Sequence, residues 1–503
     1  MGTDIMYITG IVDLSAQNGT IFYADMSKRQ RGGFMKRLMT GIVFTVAVFF
    51  LSAVVFANSG PVFWQGYPSS DIMSVDRDSP IKVEKENLVF DFSDSDYSAY
   101  TVSGRVTATY QMVNPTNEPQ SVQMAFPFAG AIDRFTSGDI VITAGDSVLP
   151  FYLYAGDVVD SYLNPRQEDK KVSYDFAGIV NTITDQPYKA DNFKENEKGR
   201  LYIIKVKPTT DQRINFAVDF TFDHEKTKVL TKGFNRYERE EQKVRIAAWC
   251  YKPQVLEILV LGQDIDLELN AYTDGELSQK TLFFTHQITA QEVELKPYLM
   301  ESMKKNTNAQ NNNMISDIQL YNLYAASLDK CFTQNMGFGS EYDLTAQENY
   351  QRILTLVYTV EFPPNSPKEV SVSYKTSGTM DKTKTTKPLY TFDYILNAAQ
   401  NWSGFKNLNI EIIPPQEAPY ITESSIELTK GENGVYTAAL ADLPGEDLSF
   451  TLYANEKITL LDKVGGSLQG SFGYFTPIVI GAALLLIIGV TIMAAICRRK
   501  RGL

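Results

Sequence analysis

The chain has 503 residues, of which 44% are hydrophobic and 21% charged, and 59 acidic residues stand against 47 basic ones. That length holds two or three domains, each able to bury a core. A net charge of −12 argues against a nucleic-acid ligand, because an acidic surface repels phosphate backbones.

Residues 1–34 match no structural element and read as an N-terminal extension, with Met26 and Met35 as alternative starts. Lys36 and Arg37 then precede the apolar run Leu38 to Phe56, and Val55-Phe56-Ala57 has the small-residue spacing of a cleavage site. Residues 35–57 are therefore expected to be a signal peptide or an uncleaved N-terminal membrane helix. Lys28, Arg29, Arg31, Lys36 and Arg37 hold the N-terminus inside in both cases. The exported segment carries 38 basic and 56 acidic residues, a net −18.

From residue 58 the pattern is mainly β. Val102, Val106, Ala108, Tyr110 and Met112 fall on one face of a strand over 100–113. Asn114-Pro115 opens a turn, and a second strand over 121–128 is expected to stop near Pro127. Ala144-Gly145-Asp146-Ser147 reads as a hairpin turn between strands at 140–143 and 148–154. Further strands are expected at 201–207, 214–222, 243–251, 255–261 and 265–272. In the last of these Asp264, Asp266 and Glu268 alternate with Ile265, Leu267 and Leu269, a solvated face over a core face.

At Thr289-Ala290-Gln291-Glu292 the spacing is that of a helix capping box. Ile315, Ile318, Tyr321, Ala325, Leu328 and Phe332 repeat at helical intervals, with an asparagine-rich loop between the two helical pieces. Strands resume at 353–362 and 369–374 around Pro363-Pro364-Asn365, and continue at 408–413, 421–428, 434–440 and 448–453. The expected architecture is two antiparallel β-sandwich domains with a helical insert or linker: 58–288, then 289–350, then 351–453. A stalk over 454–474 leads to an uncharged apolar helix over 475–497, and Arg498, Arg499, Lys500 and Arg501 head a basic tail over 498–503. Some 20 apolar residues cross a bilayer, and basic residues stay on the cytoplasmic side. The layout predicts a single-pass membrane protein with its large N-terminal region outside.

The stretch ATYQMVNPTNEPQSVQMAFPFAGAIDRF, followed by DIVITAGDSVLPF, resembles the vault/inter-alpha-trypsin type of β-domain over residues 100–153. The resemblance implies a β-domain and carries no catalytic motif. The metal-binding von Willebrand A domain usual in that family has no counterpart downstream. The whole layout is similar to uncharacterised bacterial single-pass surface proteins.

Candidate chemistry is sparse. Asp91-Phe92-Ser93-Asp94-Ser95 has the D-x-S-x-S form of adhesion sites, but a strand follows where such sites have a helix. Asp91, Asp94 and Asp96 together make a candidate Ca²⁺ loop, since calcium takes clustered carboxylate and carbonyl oxygens. An exposed acidic loop is the alternative, and no other cofactor is expected. Cys250 and Cys331 are either one disulfide or two buried free thiols. With only two histidines, His224 and His286, neither a zinc-protease motif nor a three-histidine zinc site is available. Trp64 with Phe63 and Tyr67, and Trp402 near Phe405, are core aromatics or sugar-stacking platforms. Leu443-Pro444-Gly445-Glu446-Asp447 departs from a wall-sorting signal at its fourth position. Low cysteine use and the signal pattern point to a bacterial cell bounded by one membrane. The expected function is a non-catalytic, membrane-anchored binding or scaffold protein of the envelope. It would contact the bilayer through 475–497 and an envelope protein or polymer outside. The alternatives are a subunit of a membrane complex and a hydrolase of a wall polymer.

Overall fold

The computed structural model describes residues 62–76, 78–94, 100–134, 136, 138–159, 176–304 and 314–501. The expected signal segment at 35–57 and the extension before it lie outside these residues, as does Asp96.

Two sandwiches are present, and the second is inserted into the first. In the outer sandwich one sheet runs Phe63–Trp64, Thr379–Asp381, Leu389–Ile395, Ser69–Ser70, Gln120–Gly130, Arg352–Phe362 and Tyr152–Val158. The facing sheet centres on Leu408–Ile413, Lys82–Asp91, Ser103–Val113, Pro367–Ser377 and Ile140–Ala144. Apolar residues of both inner faces meet in one core, where Phe92 and Phe392 lie 4.4 Å apart between ring centroids and Phe90 and Phe450 5.2 Å apart. The inserted sandwich packs Phe284–Glu294, Lys198–Pro208, Gln254–Gly262, Thr227–Lys232 and Phe338–Ser340 over Arg236–Glu240, Lys243–Cys250, Ile214–Thr221 and Glu268–Tyr272. Its own core gathers Ile204, Val218, Ile246 and Ile258, all fully buried. Most pairings are antiparallel.

The chain order of these units differs from the sequence expectation. Strands of the regions 58–288 and 351–453 share sheets, because Ser103–Val113 pairs with Pro367–Ser377 and Gln120–Gly130 with Arg352–Phe362 along their full lengths. Local periodicity shows that these segments are strands but not which distant strand each will meet. The segments 201–218 and 357–372 share a strand–proline turn–strand layout. Each leads a strand of one sheet into a strand of the sheet that faces it. Asn114 joins two such arches. Its buried amide donates to the carbonyls of Glu118, Phe362 and Pro363 at 2.8, 3.3 and 3.1 Å, and its Oδ1 accepts from Thr116 N–H at 3.0 Å.

The strand over 120–130 continues past Pro127, which sits opposite Thr355 in the ladder. The capping box at Thr289–Glu292 does not form: those residues belong to the Phe284–Glu294 strand, and the helix begins at Leu295. Eleven paired positions with Lys198–Pro208 outweigh a local end signal worth about 1 kcal/mol. A capping box does form at Ser340 and Asp343, ahead of the short helix Glu341–Thr345. The helix Asp317–Gln334 buries Tyr321, Ala325, Leu328 and Phe332 as its periodicity predicts. Its polar side holds an otherwise irregular segment. Asp329 accepts from the backbone N–H of Asp191 and Asn192 at 3.0 and 2.9 Å and from the Tyr188 hydroxyl at 3.0 Å.

The sandwiches form one unit, Phe63–Asp381 with Lys387–Thr459. Among the described residues the other unit comprises Lys382–Thr386 and the C-terminal helices Leu460–Phe472 and Thr476–Arg501. The expected stalk is thus helical from Leu460, and Gly466 has no room for a Cβ beside the backbone of Lys384 and Thr385. Thr476–Ala494 is the one helix among the described residues long and apolar enough to cross a membrane. Its 19 residues span about 29 Å, against a hydrocarbon core of roughly 30 Å.

Candidate functional site

An open groove of about 420 Å³ lies at one margin of the outer sandwich. Trp64 and Tyr67 contribute from the edge segment, Phe128 from the end of its strand, Asp139 from the start of the next, and Tyr374 and Lys375 from the facing sheet. Phe63 and Trp64 pair with Asp381 and Met380, which fixes the edge segment in place. Gly66 N–H donates to Thr379 Oγ1 at 3.0 Å. A Cβ at Gly66 would stand 2.5 Å from the Ser377 carbonyl oxygen, so only glycine permits this close approach.

The polar groups of the groove are few and mutually neutralising. Lys375 Nζ lies 3.2 Å from Asp139 Oδ1. Burial opposes ionisation of Asp139, yet hydrogen bonds from Thr136 and Lys375 outweigh it and hold the carboxyl below its ordinary range. The lining contains no His or Cys, and Asp139 is its single carboxylate. Such a surface offers flat aromatic faces, one ion pair and a few hydroxyls. It suits a neutral ligand with an apolar face and a polar rim.

A second cluster is fully enclosed. Asp71 and Glu86 are adjacent in the outer core and have no exposed surface. Asp71 Oδ1 accepts from the hydroxyls of Tyr110 at 2.9 Å and Tyr394 at 2.6 Å. Asp71 Oδ2 and both Glu86 oxygens receive nothing from any other N–H or O–H. Burial, before any other cause, pushes both carboxyls up: Asp71 to about 6, and Glu86 well above the carboxylate range with help from the Asp71 charge. Two adjacent buried carboxyls cannot both ionise, so a proton shared between them supplies the missing bond. Sequence periodicity assigned no strand over Lys82–Asp91, whose register is irregular between Val83 and Lys85. That bulge reverses the phase, and Glu86, Leu88 and Phe90 all point inward after it.

The other candidates fall in separate places. Asp91 ends its strand and accepts from Ser93 N–H at 2.9 Å and Ser93 Oγ at 2.6 Å, while Asp94 is exposed in the following turn. Among the described residues no group of three His, Cys, Asp or Glu is placed to hold a metal. Cys250 and Cys331 are free thiols, so the disulfide alternative is not realised. Cys250 lies in the inserted core with its thiol directed to Gln254 Oε1 at 3.4 Å, and Cys331 is on the helix Asp317–Gln334. Burial pushes both thiols up to about 11, away from nucleophilic use at neutral pH. Trp402 is core, donating through Nε1 to the Ile72 carbonyl at 3.2 Å. Asp264 and Asp266 are exposed and Ile265 is buried, but these residues precede the strand, which begins at Glu268 and not at 265 as expected. Asp447 of the Leu443–Asp447 segment caps the turn at Leu396 and Asn397.

No family model matches the chain, and no curated protein matches it. A crystal structure from Legionella pneumophila, described provisionally as a nutrient binding protein, shares 11% identity over 78% of this chain and 72% of its own, with a TM-score of 0.32. A structure of infectious bursal disease virus, Gx strain, shares 8% identity over 59% of this chain and 64% of its own, with a TM-score of 0.09. Likenesses this weak carry no argument about fold or function.

Proposed function

We propose that this chain is a non-catalytic binding protein of the cell envelope, anchored by its C-terminal helix, with the aromatic groove as its ligand site. The ligand is a neutral, hydroxyl-bearing polymer segment, such as a sugar ring. It would lay its apolar face on Trp64 and Tyr67 and its hydroxyls on Asp139 and Lys375. The observation that carries this reading is the groove itself, which has aromatic walls and one ion pair but no nucleophile with a base beside it. A retaining or inverting glycosidase needs two carboxyls across a cleft, about 5–10 Å apart; the groove has one. The apolar helix Thr476–Ala494 followed by four basic residues supports an outward-facing sandwich region. The sparse cysteines support a bacterial setting.

A photo-reactive phenylalanine analogue at position 67 tests this in intact cells. Irradiation is expected to capture envelope polymer at position 67. The same analogue at Tyr342, which is 77% exposed on the helix Glu341–Thr345, is expected to capture none. Equal capture at both positions, or none at either, would overturn the reading.

A further inference from the structure

The Phe284–Glu294 strand forms one edge of the five-stranded sheet in the inserted sandwich. It pairs without a break with Lys198–Pro208, from Glu294 opposite Lys198 to Phe284 opposite Pro208. Among the described residues no strand pairs with its outer side. Eight consecutive residues, Thr285 to Glu292, are exposed, so both faces of the strand are open over that stretch. Sheets ordinarily protect an edge by making it short or by adding proline, a bulge or charged side chains. This edge has 11 residues without proline, lysine or a bulge, and its carboxylates, Glu292 and Glu294, sit at one end.

Hydrogen bonds at its two ends show which backbone groups are unused. Leu295 N–H donates to the Glu197 carbonyl at 2.9 Å, and the Phe283 carbonyl accepts from Thr209 N–H at 3.0 Å. Odd-numbered residues therefore serve the inner ladder. The N–H and C=O groups of His286, Ile288, Ala290 and Glu292 face the open side, because successive residues alternate.

We propose that this edge pairs with the same edge of a second copy of this chain, antiparallel about a two-fold axis at Thr289. In that register His286 faces Glu292, Gln287 faces Gln291, Ile288 faces Ala290, and Thr289 faces itself. The His286–Glu292 pair, a ring N–H facing a carboxylate that already accepts from Lys198 of its own chain, occurs twice, and Thr–Thr and apolar pairs are among the favourable cross-strand contacts. Moving the axis to residue 290 sets Glu292 against Ile288 and Gln287 against Val293. Moving it to residue 288 sets Glu292 against Phe284. The sequence is thus self-complementary in one register, and a two-fold contact closes on itself, as most homodimers do. The result is a continuous sheet through both copies.

Cysteine pairs in the full-length chain, in proteoliposomes and with Cys497→Ser as background, test both contact and register. Residues facing each other on a non-hydrogen-bonded pair stand about 4.5 Å apart between Cα atoms, within disulfide reach. Thr289→Cys chains are expected to link to one another under mild oxidation. Gln287→Cys and Gln291→Cys chains are expected to stay unlinked alone and to link when mixed. Ile288→Pro removes an outward N–H and leaves the ladder to Lys198–Pro208 intact. It is expected to abolish the Thr289→Cys link with the melting temperature unchanged. A Thr289→Cys chain that stays unlinked, or a Gln287→Cys chain that links to itself as readily, would overturn the proposal. The mixed-cysteine arm decides it even where the proline variant fails to fold.

Discussion

Asp71 and Glu86 face each other inside the outer sandwich, and two tyrosine hydroxyls, from Tyr110 and Tyr394, converge on the same oxygen of Asp71. Tyr110 and Glu86 come from neighbouring strands of one sheet, Tyr394 from the other. The acid pair is therefore a pin between the sheets, and its strength depends on its proton.

Both carboxyls have folded-state pKa values raised above their unfolded ones. The folded state then binds more protons, so the stabilisation is complete below about pH 4 and declines as pH rises through about 6. Urea midpoints are expected to fall between pH 5 and 7.5 in the wild type. Asp71→Asn, which keeps an acceptor for the tyrosines and gives Glu86 a donor, is expected to reduce that fall, leaving the part that Glu86 contributes through its own burial. A wild-type midpoint independent of pH would contradict the shared proton.

Asn114→Ala is expected to destabilise the outer sandwich by about 2–3 kcal/mol, because the buried Phe362 carbonyl loses its Nδ2 donor. Equilibrium denaturation measures this directly. A change under about 0.5 kcal/mol would mean that water replaces the amide.

Asp329→Ala is expected to release residues 188–192 from the helix that holds them. Limited proteolysis should then cut within that segment while the sandwich cores stay protected. Burial disfavours the Asp329 charge, but bonds from Asp191, Asn192 and Tyr188 hold its pKa below the usual range. The same segment should therefore loosen in the wild type only as pH falls through that lowered value.

Leu282 is 92% exposed, just before the bare edge strand Phe284–Glu294. Leu282→Cys is expected to react with a membrane-impermeant maleimide in intact cells. Cys497, beside the basic tail, is expected to react only after permeabilisation. The reverse pattern would invert the proposed topology.

Much of the fold was legible because burial leaves a periodic trace. Val106, Ala108, Tyr110 and Met112 alternate inward as read, and Tyr321, Ala325, Leu328 and Phe332 mark their helix. The nesting of one sandwich in the other was not legible, since the partner of Ser103–Val113 lies more than 250 residues away in sequence. The end of the Phe284–Glu294 strand was misread because a short polar motif looks alike in a strand and at a helix start. Within the groove, Trp64 and Tyr67 were visible as a sugar-stacking alternative to core, but Asp139 and Lys375 meet only through tertiary pairing. Glu86 went unseen with its whole strand, Lys82–Asp91, whose bulge interrupts the alternation that marks the others.

Calorimetric titration of the full-length chain with soluble fragments of envelope glycan, alongside Trp64→Ala, tests the binding account most directly. The account expects saturable binding without fragment cleavage, weakened at least about tenfold in Trp64→Ala as one stacking contact of roughly 1.4 kcal/mol or more is lost, with an unchanged melting temperature. Binding indifferent to Trp64, or turnover of the fragments, would contradict it.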